Sequence, residues 1–120
     1  MNLKVLIVED DPASDKLISA LIRNIAREIL HVKNGTDALE ICRKTPDLDL
    51  VMMDIGIPGL NGYESTRLIR QFNTKLVIIA QTAFALDGDR EKAIESGCND
   101  YIAKPIVKGT LMSILEKQFH

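Results

Sequence analysis

Along this chain, unbroken apolar runs of strand length alternate with stretches whose apolar residues return every three or four positions. Val5, Leu6, Ile7 and Val8 form one such run, and Leu50, Val51, Met52 and Met53 another, apolar at every position as strands buried on both faces are. Residues 76–80 make a fourth strand, 29–33 a weaker second one, and 101–103 a short fifth. Between them, Leu17, Ile18, Leu21, Ile22 and Ile25 predict a helix, with Pro12 at its first position and Asp11 as its N-cap. Asn34 and Gly35 stop the second strand, and a helix through Ala38, Leu39 and Cys42 is closed by Pro46. Pro58, Gly59, Asn61 and Gly62 mark a loop, followed by a helix through Leu68, Ile69 and Phe72. Residues 87–96 read as a polar helix with Gly97 just past its end. Residues 108–118 form the last helix, with Leu111, Met112 and Leu115 inward.

This order amounts to five βα units, with no linker, repeat or low-complexity tract, and is read as one domain over 1–120. Continuous apolar strands between helices imply a parallel sheet covered on both sides. Right-handed crossovers make it doubly wound. The expected fold is α/β, a flavodoxin-like (βα)5 sandwich with a five-stranded parallel sheet in the order 2-1-3-4-5. Ligands of such sheets bind at the C-terminal strand ends, at the switch point between strands one and three.

Composition narrows the function classes. The 120 residues are 46% hydrophobic and 27% charged, ordinary for a globular domain. A net charge of -2 and a pI near 5.6 give no footprint for direct nucleic-acid binding. The first apolar run ends at Glu9, too early for a signal peptide or a membrane span, so a cytoplasmic protein without membrane contact is expected. Cys42 and Cys98 lack metal-ligand spacing and read as packing residues. The cluster Asp87, Asp89, Arg90, Glu91 and Lys92 reads as a solvated helix face.

The strand ends carry the chemistry. Glu9, Asp10 and Asp11 end the first run and Asp54 the third, so carboxylates meet at one mouth, where their repulsion favours a shared cation. The fourth strand is expected to end before Gln81 and Thr82, and the fifth before Lys104. Oxygen ligands favour Mg²⁺, with Mn²⁺ the alternative. An Asp nucleophile, a metal, a hydroxyl and a lysine are the parts of a phosphoryl-transfer site. Taken singly, each is ordinary: Glu9 and Asp10 as loop acids, Asp11 as a cap, Asp54 as a turn residue, Thr82 as a strand-end hydroxyl, Lys104 as a surface lysine.

Together, and over the whole chain, these residues resemble the receiver domain of two-component response regulators. The resemblance rests on Val8-Glu9-Asp10-Asp11, Asn34-Gly35, Asp54 through Pro58, Gly62, Thr82-Ala83, Gly97, and Tyr101-Ile102-Ala103-Lys104-Pro105. The stretch Gln81 to Ala85 looks most like receivers of hybrid sensor histidine kinases. The resemblance implies that Asp54 accepts a phosphoryl group from a phosphohistidine of a sensor histidine kinase or a histidine phosphotransfer protein. It implies that Asp10, Asp54 and the Gly56 carbonyl bind Mg²⁺, with Glu9 acting through a metal-bound water. Lys104 would pair with the phosphoryl group and Thr82 would donate its hydroxyl to it. Tyr101, which reads equally as packing, would turn inward. The Lys104–Pro105 bond would be cis. A downstream protein partner or an output domain outside this chain would receive the signal.

Two positions depart from common choices. Gly56 has no side chain to position a water, and Phe84 is bulky and apolar. Both suggest slow hydrolysis of the acyl phosphate. The expected protein is a phosphorylation-gated signalling module, not a turnover enzyme, that catalyses only its own phosphorylation and dephosphorylation. A receiver cut from a hybrid kinase would make the parent chain a kinase. A metal-dependent phosphatase would place a second Asp two residues after the nucleophile, where Gly56 stands. A partner-binding pseudo-receiver has no need of Glu9, Asp10, Asp54, Thr82 and Lys104 together.

Overall fold

The computed structural model describes residues 1–83 and 88–119. Its elements are β1 (Leu3–Val8), α1 (Pro12–Ile22), β2 (Ala26–Val32), α2 (Gly35–Lys44), β3 (Leu50–Asp54), α3 (Gly62–Arg70), β4 (Val77–Thr82), α4 (Asp89–Ser96), β5 (Asp100–Ala103) and α5 (Lys108–Gln118). The strands form one sheet in the order β2-β1-β3-β4-β5, with every neighbouring pair parallel. This is the flavodoxin-like α/β fold expected from the alternation of runs.

The two sides of the sheet bury separate cores. Val5, Ile7, Leu50, Met52, Val77, Ile79 and Ile102 pack toward α1 and α5 with Ile18, Ile22, Leu111 and Leu115. Leu6, Val8, Val51, Met53, Ile78 and Ala80 pack toward α2, α3 and α4 with Ala38, Cys42, Ile69 and Ala93. The two-residue period of the pleat does this sorting, since successive side chains leave a strand on opposite sides.

Local chemistry sets the helix ends. Asp11 caps α1, its Oδ2 accepting from the Ser14 backbone N–H at 3.3 Å and from the Ser14 hydroxyl at 2.8 Å. Asn61 and Glu64 form a reciprocal capping box at the start of α3. Gly97 ends α4 at φ 113°, the left-handed conformation that glycine takes most easily.

Several expected boundaries move. The α1 periodicity does not extend to Ile25: the helix stops at Ile22, and the Ile25 carbonyl accepts from the Leu3 N–H at 2.8 Å, already feeding the sheet. Strand β2 starts three residues earlier than its apolar run because Ala26, Arg27 and Glu28 lie on an edge strand, where polar side chains face water. Phe72 lies past the end of α3 and is exposed, as is Leu17 on α1. Strand β4 runs on through Gln81 and Thr82. The Gln81 carbonyl accepts from the Ile55 N–H at 2.9 Å and the Thr82 carbonyl from the Lys104 N–H at 2.7 Å, so the ladder outlasts the apolar run. Arg90 is not simply solvated, since its Nη1 donates to Asp100 Oδ1 at 2.9 Å. The other end of the expected helix over 87–96, Asp87, lies outside the described residues, as does His120. Cys42 and Cys98 are buried thiols, as expected. No helix among the described residues is long and apolar enough to cross a membrane.

Candidate functional site

The sheet delivers its strand ends to one rim. Glu9 follows β1, Asp54 is the last residue of β3, Thr82 the last of β4, and Lys104 follows β5. Glu9 and Asp54 are 2% and 8% exposed, while Asp10 faces solvent. One carboxylate oxygen from each of Glu9, Asp10 and Asp54 lies within 4.8 Å of the others. Three carboxylates aimed at one point, one of them open to solvent, suit a hard divalent cation such as Mg²⁺ or Mn²⁺. Asp11 stands apart from this group as the α1 cap, and its backbone N–H donates to Glu9 Oε2 at 3.2 Å.

Lys104 compensates the buried acids. Its Nζ donates to Glu9 Oε1 at 2.5 Å and to Asp54 Oδ2 at 3.2 Å. The backbone bond from Lys104 to the Thr82 carbonyl fixes the base of this side chain, and the Lys104–Pro105 peptide is cis. Burial pushes the Glu9 carboxyl up to about 7, with Asp54 beside it adding to the rise; Lys104 and the Asp11 N–H pull the other way. Lys104 is itself raised: burial draws it down, but the bond to Glu9 and the charges of Asp54 and Glu9 outweigh burial.

Around Asp54 the backbone approaches closely. The Gly56 N–H donates to Asp54 Oδ1 at 3.0 Å. A Cβ at Gly56 would have only Asp54 Oδ1 near it, at 3.9 Å, so the space flanking that oxygen is open. Gly62 lets the start of α3 lie against the end of β3. A Cβ there would stand 2.7 Å from the Asp54 carbonyl oxygen and 2.9 Å from Ile55 Cα.

The pleat separates two groups of site residues. Glu9, Asp54 and Lys104 continue the alternation of Ile7, Met52 and Ile102, and so belong to the α1/α5 side. Thr82 follows Ala80 onto the other side, where Tyr101 packs half-buried against the α3/α4 core. Tyr101 is the register partner of Ala80, and Ala103 that of Thr82. The hydroxyl and the aromatic ring therefore share one side of two adjacent strands. Phe84 lies outside the described residues.

Two features escaped the reading of the chain. The direct pairing of Lys104 with Glu9 has no local signal, because it joins positions 95 apart. Gln81, fully buried, is the other: it opens the stretch that resembles hybrid-kinase receivers, but nothing local marks its amide as part of the site.

Known proteins share this fold. Residues 5–116 match the family model for the response regulator receiver domain. The chain is 39% identical over 119 residues to the sensor histidine kinase GacS of Pseudomonas protegens, covering 95% of this chain but 13% of that kinase. The receiver domain of sensor histidine kinase PA1611 from Pseudomonas aeruginosa, solved with a magnesium ion in its active-site cleft, superposes with a TM-score of 0.87 at 36% identity over 98% of both chains. The receiver domain of Ssk1 from Saccharomyces cerevisiae, solved with the histidine phosphotransfer protein Ypd1, superposes with a TM-score of 0.84 at 32% identity over 96% of this chain and 88% of that one.

Proposed function

Because this chain belongs to the response regulator receiver domain family, a signalling domain of two-component phosphorelays and not a classical enzyme, we propose that Asp54 is its phosphoryl acceptor. The donor is a phosphohistidine on a sensor histidine kinase or a histidine phosphotransfer protein, the class of partner with which the similar Ssk1 receiver was solved. An oxygen of Asp54 attacks phosphorus, a P–O bond forms, and the P–N bond breaks with its electron pair leaving on the imidazole. The product is an acyl phosphate on Asp54.

The observation that carries this reading is the Lys104 ammonium, within hydrogen-bonding distance of Asp54 and Glu9 at the rim that also holds Asp10. Glu9, Asp10, Asp54 and the Gly56 carbonyl would hold Mg²⁺ there, and the ion, when bound, neutralises charge on the phosphoryl oxygens. Lys104 donates to Asp54 Oδ2 and meets the incoming phosphoryl group. The Gly56 N–H orients the Asp54 carboxylate from the other oxygen. Thr82 donates its hydroxyl to the bound phosphoryl group, and Tyr101, on the same side of the sheet, follows it inward. That movement changes the surface of α4, β5 and α5, which a downstream partner or output domain reads. The domain thus catalyses its own phosphorylation and dephosphorylation. Gly56 and Phe84 set how long the phosphate lasts.

Intact mass after incubation with Mg²⁺ and acetyl phosphate tests the proposal. One phosphoryl adduct is expected on the wild type, with none on Asp54→Asn and none after chelation of the metal. An unlabelled wild type, beside a receiver that labels under the same conditions, would overturn it.

A further inference from the structure

Among the described residues, the buried side-chain atoms that lack a hydrogen-bond partner are Nε2 and Oε1 of a single residue, Gln81. Its side chain is fully buried. Buried amides are paired as a rule, so an orphan invites an explanation in terms of function. A leucine or methionine would fill the same space without an unsatisfied group.

Position supplies the explanation. Gln81 is the register partner of Asp54 on β3 and of Ile102 on β5. The alternation along β4 sends Ile79 to the α1/α5 core, and Gln81, two residues on, leaves the strand on that same side. Glu9, Asp54 and Lys104 leave their strands on this side too. Lys104 starts at β5 and reaches Asp54 on β3 and Glu9 beyond β1, and β4 lies between. Gln81 and Lys104 therefore leave adjacent strands on the same side, with Lys104 two positions beyond the register partner of Gln81.

A lysine ammonium has three N–H donors. Glu9 and Asp54 take two of them. A divalent cation among Glu9, Asp10 and Asp54, with its bound water turned to Glu9, would compete with Lys104 for the Glu9 carboxylate. We propose that Gln81 is a positioning residue for Lys104: its Oε1 accepts the N–H that Glu9 gives up when the cation binds, and so holds the ammonium beside Asp54. The inference rests on the assignment of Asp54 and Lys104 made above.

The test compares wild type, Gln81→Met and Gln81→Leu at saturating Mg²⁺, alone and in a Lys104→Met background. Labelling of Asp54 by acetyl phosphate is expected to slow about tenfold in either Gln81 variant, the worth of one hydrogen bond to a charged group. No further slowing is expected once Lys104 is gone. The second readout is the Lys104 Nζ signal in ¹⁵N-lysine-labelled protein with and without Mg²⁺. In the wild type its N–H protons stay protected from exchange as Mg²⁺ is added, and in Gln81→Met they lose that protection. Wild-type labelling rates in both Gln81 variants, equal slowing with and without Lys104, or Mg²⁺-independent protection in Gln81→Met would overturn the inference. Failure of the wild type to be labelled at all would instead refute Asp54 as acceptor, and the Lys104 signal would still decide the role of Gln81.

Discussion

Glu9 and Lys104, separated by 95 positions in sequence, meet at 2.5 Å, closer than the 3.2 Å between Lys104 and Asp54. The ammonium lies nearer Glu9, one of the three clustered acids, than Asp54, the proposed phosphoryl acceptor. A cation held by these acids would therefore compete with Lys104 for Glu9 before any phosphate arrives.

Removing the competitor frees the carboxylates. Lys104→Met is expected to tighten Mg²⁺ binding about three- to tenfold, as the loss of a positive charge within a few ångströms of a partly buried site implies. Calorimetric titration of Mg²⁺ measures it. The same variant is expected to accept phosphate more slowly, so that affinity and reactivity move in opposite directions. Weaker Mg²⁺ binding in Lys104→Met would mean that the lysine organises the acids and does not compete for them.

The raised Glu9 pKa fixes a pH dependence. The folded value of about 7 lies above the ordinary value of 4.5, so the folded metal-free protein binds this proton more tightly than the unfolded chain does. The resulting stability is complete below pH 4.5 and is lost as pH rises through 7. Glu9→Gln does not titrate there. Relative to wild type it is expected to gain on the order of 2 kcal/mol at pH 8 without metal, less than full conversion of the shift because Lys104 responds with it, and nothing at pH 4.5. Thermal melts across that range, in chelator, give the comparison. Adding Mg²⁺ should stabilise the wild type at pH 8 more than Glu9→Gln.

Gly56 leaves open the space beside Asp54 Oδ1. Gly56→Asn places an amide there without a backbone clash, and is expected to shorten the lifetime of the acyl phosphate by about three- to tenfold by orienting water. Stability should change little. The decay of the phosphorylated mass after removal of donor reads the lifetime; a longer-lived adduct in the variant would contradict this.

Gly62 has no such room. Gly62→Ala drives a methyl group against the Asp54 carbonyl and Ile55 Cα, and is expected to cost about 1–3 kcal/mol, the usual range for overpacking. Denaturant unfolding measures the loss. Because the displaced backbone is that of Asp54, acceptance of phosphate should fall even under conditions where the variant is fully folded.

Much of this was legible from the chain because burial writes itself in unbroken apolar runs. The strands at 3–8 and 50–53, with Glu9 and Asp54 at their ends, gave the sheet and the mouth of the site together. The Asp11 cap and the left-handed Gly97 were legible because each depends on its own residue type. Strand β2 is longer than its apolar run because its edge position admits Arg27 and Glu28, which no apolar pattern registers. Ile25 fits the helical period, yet three-dimensional context hands it to the sheet. The bond between Glu9 and Lys104, and the orphan amide of Gln81, exist only once the strands are laid side by side.

Gln81 and Thr82 are neighbours in sequence but stand on opposite sides of β4. The parity of this strand is thus a wiring decision. A one-residue insertion before Gln81 that preserved the hydrogen-bonded ladder would exchange the two, turning the hydroxyl toward Lys104 and the amide toward Tyr101. All the groups would survive, and the strand with them, yet the input and output lines of the device would be crossed.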